Sequence, residues 1–233
     1  MTASSEPSQA RQRVLDRIAL ACGAAGRDAA SASLLAVSKL QTSDKIRALY
    51  AAGHRAFGEN YVQEAVQKVD ELGDLQDIEW HLIGPLQSNK TRDIASRMAW
   101  VHSIDRLKIA ERLSRQRGDA LPALNVCVQV NISGESSKSG VLPPDALELC
   151  EAVAALPNIR LRGLMGMPEP GISEFATGQQ FMALRDLFST LQARHPSVDT
   201  LSMGMSDDLD IAIACGSTMV RVGTALFGAR PSR

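Results

Sequence analysis

Apolar residues fall along the chain into eight short runs, set apart by longer stretches of helical period. The runs are 33–39 (SLLAVSK), 55–60 (RAFGEN), 78–84 (IEWHLIG), 100–105 (WVHSID), 124–131 (LNVCVQVN), 159–167 (IRLRGLMGM), 200–206 (TLSMGMS) and 219–228 (MVRVGTALFG). Their length and apolarity suit strands buried on both faces. Between them, segments such as DKIRALYAAG, YVQEAVQKVDEL, DRLKIAERLSRQRG and PDALELCEAVAAL show the spacing of amphipathic helices. One more helix, about 7–22, comes first: Pro7 suits its first turn, and Val14, Leu15, Ile18 and Cys22 form its apolar stripe. Residues 1–6 read as a disordered polar tip.

Strands alternating with helices imply a parallel sheet with crossover connections. Eight such units close into a barrel, whereas an open doubly wound sheet usually shows fewer. No GxGxxG follows the first strand, so the dinucleotide fold lacks its best cue. The pattern predicts an α/β fold: a single (β/α)8 TIM-type barrel over 7–233, with an extra N-terminal helix. Barrel chemistry gathers where strands give way to loops. Those positions are Lys39, Asn60, His81 with Gly84, Asp105, Asn131, Met165, Ser206, and Gly223 with Thr224. GESSKSG (134–140) and PEPGISE (168–174) read as loops of the same face.

Composition narrows the function classes. With 45% hydrophobic and 22% charged residues, the chain reads as a soluble globular protein with ample core. A net charge of -1 gives no general attraction for nucleic acid. The four cysteines lack CxxC spacing and read as reduced thiols, not as a metal cage. With no apolar leader and no run of 18 apolar residues, the expected place is the cytoplasm, away from membranes. Of 25 basic residues only six are lysines, so each lysine is informative.

Lys45, Lys68, Lys90 and Lys108 fall on helical segments and read as solvated; Lys138 is in a loop. Lys39 alone ends an apolar strand. Burial there disfavours the charged amine and lowers its pKa from about 10.4, giving the neutral nucleophile that attacks aldehydes. The same pattern also fits a lysine reaching out to solvent. Arg221 sits inside a strand, where alternation places it with Gly223 and Ala225, opposite Val220, Val222 and Thr224. A buried guanidinium cannot shed its charge and needs a partner, which a structural ion pair would equally supply. Gly223 and Thr224 can hold a phosphate through backbone N–H groups. Ser206 reads first as a helix N-cap, with Asp207 and Asp208 in the first turn.

The segments LLAVSK, FGENYVQEA, EWHLIGPLQSNK, NVCVQVNISGESSKSG, LRGLMGM and LSMGMSDDLDIAIACGSTMVRVGTALFGAR together resemble the pyridoxal phosphate homeostasis protein family, in register over about 8–230. The resemblance implies a barrel like the N-terminal domain of alanine racemase, binding pyridoxal 5'-phosphate (PLP) as a covalent aldimine. It makes Lys39 the Schiff-base lysine and Arg221 the partner of the pyridine nitrogen. Ser206, Gly223 and Thr224 become the phosphate cradle, and Asn60, His81 and Met165 line the ring or its 3'-oxygen side.

A fixed cation at the ring nitrogen makes a poor electron sink, which disfavours transamination. Racemisation needs a second acid/base, a tyrosine from another domain in alanine racemase. Here Tyr50 lies on a helical pattern and Tyr61 opens one. Two readings stay open: a non-catalytic, monomeric PLP carrier that serves PLP-dependent apoenzymes, or a small PLP-dependent racemase or lyase. A third, an aldolase-type Schiff base with a sugar phosphate, leaves Arg221 without a role.

Overall fold

The computed structural model describes residues 5–135 and 138–228. Eight strands, β1 (Ser33–Val37), β2 (Ala56–Glu59), β3 (Glu79–Leu82), β4 (Trp100–Ile104), β5 (Leu124–Val130), β6 (Ile159–Gly166), β7 (Thr200–Met205) and β8 (Met219–Val222), close in sequential order into a barrel. All eight pairings are parallel, β8 returning to β1. The crossovers are α2 (Ser43–Ala51), α3 (Val62–Glu71), α4 (Thr91–Arg97), α5 (Leu107–Arg117), α6 (Pro143–Ala154), α7 (Glu174–Arg194) and α8 (Leu209–Ala214).

The extra helix, α1 (Ser5–Ala24), packs on α8 and on α9 (Thr224–Phe227), with Arg17 bridging to Asp210 at 2.6 Å. It takes in Ser5 and Glu6; the rest of the expected tip, residues 1–4, lies outside the described residues. The last run is shorter as a strand than its apolarity predicts: β8 stops at Val222, and the chain turns at Gly223 into the short α9.

The main core lies between strands and helices. Leu34 and Ala36, Phe57, Trp80 and Leu82, Val126 and Val128, and Val220 and Val222 face outward onto Ile46, Ile94, Leu113, Val153 and Leu184. Each such burial contributes roughly 1.5–3 kcal/mol. Barrel interiors are usually layers of Val, Ile and Leu. Here a small apolar cluster of Trp100, Cys127 and Met165 shares the interior with His81, His102, Ser202 and Arg221, all buried. Such polar groups cost several kcal/mol each unless hydrogen-bonded, so their bonding must be fixed.

The four cysteines are free and buried, as expected of core thiols, and burial pushes Cys150 up to about 12. Among the described residues no helix is long and apolar enough to cross a membrane.

Candidate functional site

At the C-terminal ends of the strands opens a cavity of about 650 Å³. Lys39, Asn60, Gly84, Asn131, Ser206, Arg221, Gly223 and Thr224 all line it, so seven of the eight strand-ends contribute at least one residue with Met167 included.

Lys39 follows β1 by two residues and is half-buried. Both its neighbours are pinned. Ser38 Oγ donates to Glu59 Oε1 at 2.5 Å, and Lys68 Nζ donates to Ser38 O at 2.6 Å. On the other side Leu40 N–H donates to Glu64 Oε1 at 2.6 Å. Leu40 has φ 61, a left-handed conformation that costs a non-glycine residue about 1–2 kcal/mol. Lys68 Nζ ties the carboxylates together, 2.8 Å from Glu59 and 2.6 Å from Glu64. Burial pushes the Glu59 carboxyl up, against the pull of Lys68 and Ser38.

Lys68 therefore corrects its solvated reading. It is 4% exposed on the inner face of α3, because α3 lies over β2, where Glu59 points outward. The Glu ending an otherwise apolar run was the available signal.

Asn60 lines the cavity, and its Oδ1 is a buried acceptor without a hydrogen-bond partner among the described residues. Gly84 explains how Asn60 keeps its place. A Cβ at Gly84 would lie 2.0 Å from Asn60 O, so only glycine lets the two strand ends approach this closely.

Arg221 is 4% exposed. Its Nη1 donates to Ser202 O at 2.6 Å and Ser202 Oγ at 3.0 Å, and its Nη2 to Gly166 O at 3.1 Å. These acceptors are neutral, and no carboxylate bonds the guanidinium among the described residues, which excludes the structural ion pair. Burial lowers it to about 10, still cationic at neutral pH.

Ser206 lies between Met205 and Asp207, all three at the cavity wall. It is not an N-cap: α8 starts only at Leu209, and the Asp208 carboxylate turns back to accept Met205 N–H at 2.5 Å. Gly223 holds the N-cap position of α9, with Val37 O 3.1 Å from where its Cβ would be.

His81 and Met165 do not line the cavity. They are 0% and 1% exposed, packed with Trp100 one layer below it, and the wall above them is Ile83 and Met167. A period of two assigns the face of a strand but not the height along it. His81 and Met165 thus lie one layer below the cavity wall. Asp105 is also outside the lining; it pairs with Arg106 at 2.9 Å. Gln129, by contrast, lines the cavity and was missed, although it lies two residues before Asn131 on the same strand face.

Comparison with known proteins gives this arrangement its relatives. The family model of the alanine racemase N-terminal domain matches residues 16–231. A pyridoxal phosphate homeostasis protein of Pseudomonas aeruginosa is 58% identical, covering 94% of this chain and 93% of its own. That of Escherichia coli K12 is 52% identical over 94% of each. The structure of PipY from Synechococcus elongatus PCC7942 with PLP bound superposes with a TM-score of 0.77, at 41% identity, over 85% of this chain and 93% of that one. The chain belongs to the pyridoxal phosphate homeostasis protein family.

Proposed function

We propose that this protein holds PLP in the barrel mouth, as a Schiff base on Lys39, and releases it to PLP-dependent apoenzymes without catalysing a reaction on it. The carrying observation is one cavity that gathers a strand-end lysine, a buried cationic guanidinium and the Ser206, Gly223 and Thr224 wall. These residues fit the cofactor group by group. Lys39 offers the amine and Arg221 a donor for the ring nitrogen, while Ser206, Gly223 and Thr224 offer hydroxyls and a close backbone for the phosphate. The unpartnered Asn60 Oδ1 is an acceptor waiting for a polar substituent. Bound there, PLP supplies an aldehyde and an electron-withdrawing ring.

The wall supports a carrier over an enzyme. Its ionisable side chains among the described residues are Lys39, Lys138, Asp207 and Arg221. Lys138 is paired with Glu135 at 2.9 Å, and Asp207 is exposed. Tyr50 is bonded to Asp77, and Tyr61 is 52% exposed; neither lines the cavity. Among the described residues no ionisable side chain is thus set opposite Lys39 as the second acid/base of a racemase, whose lack typically costs about 10²–10⁴-fold in rate. On this reading the protein works as a cytoplasmic monomer, which light scattering on the purified chain checks.

In deuterated water with L-alanine, the loaded protein should leave the Cα–H unexchanged, followed by NMR. Mixed with an apo PLP enzyme, it should restore that enzyme's activity. Exchange at several turnovers per second would replace the carrier with the racemase.

A further inference from the structure

The wall of the cavity does not account for the polar row beneath it. Glu79 opens β3 at the N-terminal rim of the barrel, with Oε2 3.9 Å from His81 Nε2. His81 Nδ1 lies 2.9 Å from His102 Nε2, and His102 Nδ1 lies 3.0 Å from Ser202 Oγ. Ser202 Oγ then meets Arg221 Nη1 at 3.0 Å. Four strands, β3, β4, β7 and β8, each supply a buried member, so the row runs from the lower rim to the floor of the cavity.

The chemistry of the members gives the row a direction. A guanidinium only donates, so Ser202 Oγ accepts from Arg221, and a one-way arrangement sends the hydroxyl's own hydrogen to His102 Nδ1. His102 then carries its proton on Nε2 and donates to His81 Nδ1. That puts the His81 proton on Nε2, a buried atom with no hydrogen-bond partner among the described residues, with the Glu79 carboxylate 3.9 Å away. Trp100 holds the His81 ring in this orientation, stacked at 5.3 Å and 6°, and the Arg162 guanidinium lies 4.6 Å from the Trp100 ring centre. Burial keeps both imidazoles neutral, His102 well below its ordinary value, with the Arg221 charge acting in the same sense.

We propose that His81, His102 and Ser202 form a one-way hydrogen-bond relay through which Glu79, at the N-terminal rim of the barrel, orients and supports the charge of Arg221 at the PLP site. His81 and His102 are positioning residues in this role, since neither reaches the cavity. Each bond in such a chain polarises the next. The carboxylate, 3.9 Å from His81 Nε2, acts on that proton through its charge, and the effect returns as a more negative Ser202 Oγ, a better acceptor for an arginine that no carboxylate bonds among the described residues. The relay rests on the PLP reading for its consequence, but its geometry is independent of any ligand.

Long-range proton–nitrogen NMR on the ligand-free protein tests the direction, with the four histidines assigned by substitution. His81 and His102 should both be neutral Nε2–H tautomers at pH 7; an Nδ1–H tautomer or a charged ring at His102 overturns the relay. Glu79→Gln, on an exposed side chain, should shift the His102 nitrogens; unchanged shifts overturn it as well.

With PLP added, His102→Phe should move the visible absorption maximum and weaken binding about fivefold, the loss of one hydrogen bond. Glu79→Gln should move both in the same direction by less, while borohydride still fixes the label on Lys39. Normal PLP binding with an unmoved spectrum in His102→Phe sinks the relay and spares the functional reading. If the unsubstituted protein takes up no PLP, the functional reading fails, and the NMR shifts alone decide the relay.

Discussion

The residues on either side of Lys39 are gripped by a buried ion-pair cluster. Glu59 and Lys68 hold Ser38, and Glu64 holds the strained Leu40. Removing the cation leaves Glu59 buried and unpaired, which typically costs 3–5 kcal/mol. Lys68→Met should therefore lower the unfolding free energy read from urea titration by about 3–5 kcal/mol, and weaken PLP retention although Lys68 does not line the cavity. Glu64→Gln, whose partly exposed side chain keeps an acceptor for Leu40 N–H, should cost about 1 kcal/mol. Equal losses for the two would contradict the clamp. A lysine ending an apolar run was legible in the sequence. The clamp was not, because the helical period of α3 shows which residues share a face without showing that a carboxylate waits beneath one of them.

The elements were legible nearly to their ends. Periodicity located all eight strands and the seven crossovers, since a strand buried on both faces leaves an unmistakable apolar run. Height along the strand is not legible from a period of two, which is why His81 and Met165, expected at the ring, lie in the layer below the wall. The end of β3 shows what fixes height: Gly84 lies against Asn60 O, and a Cβ would meet it at 2.0 Å. Gly84→Ala should push the ends of β2 and β3 apart and lower PLP affinity at least tenfold, with the far-ultraviolet circular dichroism retained. Full affinity in Gly84→Ala would show that the register of these two ends does not shape the site.

The whole molecule pairs an ordinary outer core with a polar barrel interior, and the interior should govern its response to acid. His54, His81 and His102 are all pushed below 6.5 by burial, His54 to about 4. The unfolded chain takes up protons at these histidines near pH 6.5 and the folded protein only lower, so stability falls as pH falls through that window. His54 alone accounts for about 3 kcal/mol at 1.4 kcal/mol per pKa unit. Glu59, Asp105 and Asp208, raised by burial, act oppositely in the carboxylate range, so the loss reads most cleanly between pH 6.5 and 5. Urea titrations across that interval should give a falling midpoint; a flat one would mean that the buried imidazoles are charged in the folded state. Chemical trapping decides whether Lys39 is the amine that takes up the aldehyde cofactor. The protein is mixed with PLP, reduced with borohydride, digested and mapped by mass spectrometry. A single pyridoxyl label on Lys39, lost in a folded Lys39→Ala protein, is the expected result. Label on Lys138 or another lysine with Lys39 unmodified would take the Schiff base away from Lys39.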